Sequence, residues 1–196
     1  MMATIFWLAI SYLIGALPFG LIVSRSCCNV DPRQQGSGNI GATNVGRVCG
    51  TKYGALTLGL DILKGFIPVF LASFFSDSGF FLSLVALAAV SGHMFSVFLN
   101  GQGGKGVATW AGAFAAISFS GTVFCGLVFL IALYFFNYVS LASMTMVALM
   151  PIVLLFKGHW GAIPLALVLM ALIFWRHAEN IQRLKTGEEN SWKTTS

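Results

Sequence analysis

Charge is what this sequence has least of. Only 9% of its 196 residues are Asp, Glu, Lys or Arg, and six are acidic, while 57% are hydrophobic and 18 are phenylalanine. A soluble domain carries about a quarter of its residues charged, so the composition excludes one and makes the bilayer the solvent. Cysteine is scarce too. Cys27, Cys28, Cys49 and Cys125 contain no C-x-x-C pair, which excludes a zinc ribbon, and three of them lie in or beside a segment assigned below to the cytoplasm, where free thiols are expected. No His/Cys/carboxylate cluster has metal-ligand spacing and no Ser-His-Asp arrangement can be inferred, so neither a metal nor any other cofactor is expected. The net charge of +5 comes without a basic stripe interleaved with aromatics, which argues against nucleic acid and for anionic lipids and anionic substrates. No basic residue precedes the first apolar run, which is too long for an ordinary leader and reads as a mature span.

What is present is apolar length. Runs near 3–24, 54–75, 79–99, 107–119, 121–136, 139–156 and 160–175 approach the roughly 20 residues that cross about 30 Å of hydrocarbon. The reading is an all-α polytopic membrane protein of about seven spans, treated as a single domain over 1–196 because no repeat or low-complexity linker interrupts it. Residues 107–136 as one helix would measure about 45 Å, too long for one crossing, and Ser118-Phe119-Ser120-Gly121 offers a turn. With seven crossings and an outside N-terminus, ten of the eleven Lys and Arg fall on the cytoplasmic side, with the C-terminus, leaving Lys157 outside. A five-span version with 107–136 as a re-entrant hairpin keeps the same sidedness. Segments 25–53, 100–106, the corner from Asn137 to Ser143 and the tail from Arg176 then all emerge on the cytoplasmic face.

These polar segments carry the chemistry. In the first loop, Gly36-Ser37-Gly38-Asn39-Ile40-Gly41-Ala42-Thr43-Asn44-Val45-Gly46-Arg47, glycines let successive N–H groups converge, Ser37 and Thr43 add hydroxyls, and Arg47 offers a planar fork for phosphate oxygens. The second, Gly101-Gln102-Gly103-Gly104-Lys105-Gly106, opens a helix whose N-terminus favours an anion. It is not a Walker loop, since Gly106 stands where Ser or Thr would hold magnesium, and neither G-x-G-x-x-G match follows a strand, as a dinucleotide fingerprint must. At the end of the last span, His177 and Asn180 share a helix face, and Glu179 and Arg183 form an i,i+4 pair that braces the helix. Ser140 and Ser143 read first as helix-packing residues. Asp61 and Lys64 read as a mutually neutralising pair at membrane depth, and His93 as a core residue that positions the second loop. Two phosphate cradles with a histidine and an asparagine at a lipid-facing surface suggest joining a phosphorylated solute to something dissolved in the membrane. A transporter of such a solute is the rival reading, against which stands the lack of a two-fold repeat.

In order along the chain, Leu17-Pro18-Phe19-Gly20, Gly36 to Arg47, Gly92-His93 with Gly101 to Thr109, Val139 to Ser143, and Arg176 to Leu184 followed by Thr186-Gly187-Glu188 resemble the bacterial integral-membrane acyl-phosphate:glycerol-3-phosphate acyltransferases. The resemblance covers essentially the whole chain; the approach Asn100-Gly101-Gln102 and the Gly46 before Arg47 are its small departures. It implies a multi-pass enzyme of the bacterial cytoplasmic (inner) membrane, acting in phospholipid biosynthesis. The implied reaction moves a fatty acyl group from acyl phosphate to the 1-hydroxyl of sn-glycerol 3-phosphate, giving lysophosphatidic acid and phosphate. It implies catalytic roles for His177, Asn180, Ser37 and Arg47, and substrate or phosphate binding by Gly38, Asn39, Gly41, Thr43, Asn44, Gly103, Gly104, Lys105, Gly106 and Ser143. His177 is either the general base or a substrate ligand, and either loop can take either phosphate. The implied partners are glycerol 3-phosphate, acyl phosphate, membrane lipids and the soluble enzyme that supplies acyl phosphate. Neither four nor five residues beyond any histidine stands an acidic residue, so the His-x4-Asp pattern of soluble thioester-dependent acyltransferases is absent.

Overall fold

The computed structural model describes residues 2–192; Lys193, one of the cations counted in the topology, lies outside them. Every regular element among the described residues is helical. The chain divides into two compact units, 1–117 and 118–196.

The first unit holds α1 (Met2–Ala16), α2 (Phe19–Cys28), α3 (Ala42–Cys49), α4 (Thr51–Ser73), α5 (Gly79–Met94) and α6 (Val107–Ile117). Leu17 and Pro18 separate α1 from α2, because proline cannot donate to the helix ladder and pushes the residue before it away from helical angles. α5 starts on Ser78, whose hydroxyl accepts from Phe81 N, an N-cap that satisfies one orphan donor. α4 and α6 lie backbone to backbone: a Cβ on Gly65 would stand 1.9 Å from Thr109 O, and one on Gly112 1.9 Å from Ile62 O. Lipid tails give no hydrophobic incentive for helices to meet, so close approach over small residues supplies the packing. Val69, Ala72, Leu82, Val85, Ala86 and Ala113 form one buried cluster, and Leu21, Ile40 and Leu99 another.

The second unit holds α7 (Phe119–Phe136), α8 (Val139–Phe156), α9 (Ile163–Arg176) and α10 (Ala178–Thr186). In α7 the small residues Gly121, Cys125 and Ala132 are buried, while Phe119, Leu127, Leu130, Ile131 and Phe135 are more than half exposed. That is the reverse of a soluble helix and marks the large side chains as lipid-facing. α9 and α10 meet at a 57° bend.

Five helical stretches are long and apolar enough to cross a membrane: Thr4–Cys28, Thr51–Ser73, Gly79–Leu99, Phe119–Phe136 and Val139–Phe156, with a sixth if the bent α9–α10 pair is one span. The break expected near Ser118 is present. The helix before it has 11 residues, about 16 Å, so by length alone 107–119 does not make a seventh span. Hydropathy registers composition and is blind to where Ser118, outside helical angles at φ −149° and ψ 82°, ends the helix.

Candidate active site

The loop between α2 and α3 is organised around one buried side chain. Asn44 Nδ2 donates to Pro32 O (2.8 Å), Asn39 O (2.9 Å) and Gln35 O (3.0 Å), while Asn44 Oδ1 accepts from Ser37 N at 2.8 Å. Asn44 therefore spends its amide on the loop's own backbone, and Asn39 likewise accepts from Gly41 N through Oδ1. Gly36 (φ +61°) is needed where it stands, since a Cβ there would sit 2.2 Å from Asn44 Oδ1. The result is a shaped rim that leaves Ser37 and Gly38 exposed and Thr43 and Arg47 half-buried.

Charge in this loop is unevenly matched. Arg25 and Arg33 both pair with Asp31 at 2.7 Å. Bonds from Arg33, opposed by desolvation and reinforced by Arg25, hold the Asp31 carboxyl far below the usual carboxylate range. Among the described residues no carboxylate pairs with Arg47, which leaves this guanidinium as the loop's uncommitted fork for an anion.

The loop's two ends are joined covalently. Cys28, the last residue of α2, and Cys49, the last of α3, form a disulfide with their Cα atoms 6.0 Å apart. This corrects the expectation of free thiols for that pair; Cys27 and Cys125 are free. Two cysteines 21 residues apart come together because the loop doubles back, which spacing alone does not reveal.

The second glycine loop folds back along the end of α5. Gly101 N donates to Ser96 O (2.9 Å), Gly103 N to Met94 O and Gly104 N to His93 O (both 3.1 Å). Gly103 and Gly104 thus direct their N–H groups at α5 and serve by permitting close approach: a Cβ on Gly104 would lie 2.1 Å from His93 Nε2. Lys105 follows, and α6 begins after Gly106 (φ +88°). Beneath lies the anticipated ion pair. Lys64 Nζ is 2.8 Å from Asp61 Oδ1 and also donates to Leu17 O at 2.8 Å; His93 Nδ1 is 3.8 Å from the same Asp61 oxygen. His93 therefore stands between the buried pair and Gly104.

In the second unit His177 occupies the α9–α10 bend and is 3% exposed. Its Nδ1 is 2.8 Å from Ile173 O. A carbonyl can only accept, so Nδ1 carries the hydrogen, and in the neutral ring Nε2 is the lone-pair nitrogen. Asn180, one turn on, donates Nδ2 to Glu189 Oε1 at 2.6 Å; Ser140 Oγ donates to the same oxygen at 2.7 Å, and Arg183 Nε to Oε2 at 2.8 Å. Burial pushes the Glu189 carboxyl up, but these three bonds and the Arg183 charge outweigh it and hold it below its ordinary value. Gly187, at φ +75°, lets the chain reverse after α10 and carry Glu189 back, and Trp192 N anchors the tail on Asn137 O at 2.7 Å. Ser143 is buried in α8.

Within the first unit, Ser37, Gly38, Asn39, Gly41, Thr43, Asn44 and Arg47 fall on one loop and the helix it opens, and Gly103, Gly104, Lys105 and Gly106 on another. Within the second, Asn180 and Ser140 share one carboxylate, with Ser143 a turn along α8. Glu189 escaped sequence reasoning. The expected i,i+4 pair is present but loose, with Arg183 Nη1 3.7 Å from an exposed Glu179; the closer partner is Glu189. Its only signal was a carboxylate just past a Gly in a chain with six acids, too weak to place it.

A sequence model of the family described as glycerol-3-phosphate acyltransferase matches residues 5–187. A glycerol-3-phosphate acyltransferase of Nitratidesulfovibrio vulgaris is 50% identical over 192 residues, 98% of this chain; the chain spans 59% of that relative's length. One from Lawsonia intracellularis is 45% identical, with 98% of each chain covered. Two crystal structures of the integral membrane glycerol 3-phosphate acyltransferase PlsY are similar throughout. The glycerol 3-phosphate form has a TM-score of 0.94 at 43% identity, covering 98% of this chain and 96% of that one. The lysophosphatidic acid form has a TM-score of 0.91 at 42% identity, covering 96% and 95%. With the family's sequence pattern running through all but the chain's ends, and near-identical backbones in solved relatives, this multi-pass membrane protein belongs to the glycerol-3-phosphate acyltransferase family.

Proposed function

We propose that this protein transfers a fatty acyl group from acyl phosphate to the 1-hydroxyl of sn-glycerol 3-phosphate, releasing lysophosphatidic acid and inorganic phosphate. The observation that carries this reading is the pair of PlsY relatives, one in a glycerol 3-phosphate form and one in a lysophosphatidic acid form, an acceptor and its acylated product on one scaffold. The chain's own residues fit the chemistry. Both substrates carry a phosphate, and the first unit offers two anion cradles: Arg47 with Ser37 and Thr43, and Lys105 at the start of α6.

Acyl phosphate is a mixed anhydride with a good leaving group, so no covalent enzyme intermediate is required. The acceptor hydroxyl oxygen attacks the acyl carbonyl while its proton passes to His177 Nε2 or to a substrate phosphate oxygen, the tetrahedral oxyanion collapses, and the C–O bond to phosphate breaks as inorganic phosphate leaves. His177, with Nδ1–H fixed on Ile173 O, turns Nε2 as a lone pair toward the acceptor hydroxyl and orients it; Asn180 and Ser143 hold the rest of the acceptor. Positioning the hydroxyl against the carbonyl supplies much of the acceleration.

Seven crossings, with a cytoplasmic C-terminus in the bacterial inner membrane, remain the proposed topology. Gly106 lies beside Val90 and Met94, so α6 starts alongside the last turn of α5 and the loop before it is re-entrant. Re-entrant backbone is tolerated at that depth because it is buried in protein, as Gly104 and Gly106 are. The donor then arrives from a soluble enzyme on the cytoplasmic side.

The test is conversion of acyl phosphate and glycerol 3-phosphate to lysophosphatidate by membranes containing the protein. Arg47→Ala is expected to raise KM for the phosphorylated acceptor about ten- to hundredfold, the loss of a charge-assisted bond of roughly 1.5–3 kcal/mol. His177→Ala is expected to lower kcat with the protein still folded. Full activity in both variants would overturn the site assignment.

A further inference from the structure

We infer that the Cys28–Cys49 disulfide is a reversible redox clasp on the first phosphate loop: closed, it holds Arg47 ready for the phosphorylated acceptor, and a dithiol reductant opens it. The inference rests on the acyltransferase reading given above. The bond ties the last residue of α2 to the last of α3, so it encloses residues 29–48 with Ser37, Thr43 and Arg47 among them. Non-covalent order inside this ring centres on Asn44, in the first turn of α3. Arg47 lies in the last turn, two residues from Cys49 and one turn beyond Asn44. An eight-residue helix is well short of the about 12–15 residues that hold helical form alone in water, so its far end depends on what it is fastened to. Gly46 packs on Gly54 of α4, which steadies α3 from one side. The disulfide fastens it from the other, to α2. Opening the clasp therefore loosens the Arg47 end without dissolving the loop, an effect on affinity and not an on-off switch.

The pair is also placed to be reached. Cys28 and Cys49 are half-buried, with exposed Cys27, Asn29 and Gly50 beside them. On the cytoplasmic side proposed for this loop, disulfides are mostly transient and redox-sensing. In the opening step a thiolate of the dithiol attacks one cysteine sulfur, the S–S bond breaks and a mixed disulfide forms. The other cysteine leaves as thiolate in that step; the second thiol of the reductant then attacks the reductant's own sulfur in the mixed disulfide and expels the attacked cysteine as thiolate. Two electrons pass to the Cys pair, two protons end on Cys28 and Cys49, and the reductant leaves as a cyclic disulfide.

The experiment uses the full chain in phospholipid vesicles, oxidised, reduced with dithiothreitol and reoxidised. Maleimide labelling after denaturation is expected to count two thiols in the oxidised protein, Cys27 and Cys125, and four after reduction. On reduction KM for glycerol 3-phosphate is expected to rise about fivefold with kcat little changed, which corresponds to roughly 1 kcal/mol of lost ordering, and to return on reoxidation. Cys28→Ser should show the raised KM with or without reductant, and Cys27→Ser should respond like the parent. Equal KM in the oxidised and reduced parent, or four thiols before reduction, overturns the clasp. Absence of lysophosphatidate in every redox state overturns the acyltransferase reading instead. The clasp is then decided by tryptic cleavage after Arg47, which accelerates on reduction if the inference holds and is unchanged if it fails.

Discussion

Removing the Glu189 carboxylate is the sharpest probe of how the second unit holds its functional residues. Three donors converge on it at 2.6–2.8 Å, from Asn180, Ser140 and Arg183. Glu189→Ala leaves the Ser140 hydroxyl and the Asn180 amide without that acceptor in positions only 6% and 5% exposed, whereas Arg183, about a third exposed, can turn to water. A buried polar group left unsatisfied costs about 1–3 kcal/mol, so two of them predict a loss of about 2–5 kcal/mol for Glu189→Ala. Glu189→Gln keeps a carbonyl acceptor for Ser140 and Asn180 and forfeits the charge and the bond from the part-exposed Arg183, for which about 1–2 kcal/mol is expected. The assay is thermal unfolding of the detergent-solubilised protein, combined with a cycle through Ser140→Ala. Because both residues act through one hydrogen bond, Ser140→Ala in the Glu189→Ala background should cost about 1 kcal/mol less than in the parent. Additive effects, or a Glu189→Ala protein as stable as Glu189→Gln, would refute the idea that this carboxylate organises the cluster.

Two further outcomes follow from the geometry. Gly104→Ala places a methyl 2.1 Å from His93 Nε2; it should destabilise by about 1–3 kcal/mol, as overpacking does, and His93→Ala should relieve part of that in thermal unfolding. Glu189, with its native pKa held below the ordinary value, contributes stability that is complete above the usual glutamate pKa of about 4.3 and fades as pH falls through the depressed native value. Acid unfolding of the parent should therefore be steeper through that window than that of Glu189→Gln, and parallel curves would contradict the assignment.

Much of the fold was legible because the bilayer makes a blunt demand. A chain with few charges and long apolar runs has to be helical, and Val139–Phe156 was delimited to the residue. The break at Ser118 was legible from the Ser118-Phe119-Ser120-Gly121 stretch, whereas the shortness of the helix before it, 11 residues, was not, because apolar composition does not register where a helix starts. The loops were legible as polar, glycine-rich segments, but not in their division of labour. Asn44 resembles a ligand in sequence and proves to be the loop's internal strut. Gly103 and Gly104, which look like phosphate-facing amides, point their N–H groups at α5. Side-chain chemistry announces what a residue is able to bond, whereas its partner depends on which backbone groups the fold brings near.

The sequence by itself determined the solvent, the helical class, the polar segments and the family pattern, since all of these follow from composition and from the order of residue types. Tertiary structure alone decided the pairings between residues far apart: Cys28 with Cys49, Lys64 with Leu17 O, and Glu189 with Ser140. Each depends on the path the chain takes between the partners, through Gly36, the Leu17–Pro18 break and Gly187, and an angle of a few tens of degrees at one such residue moves its distant partner by more than the length of a hydrogen bond.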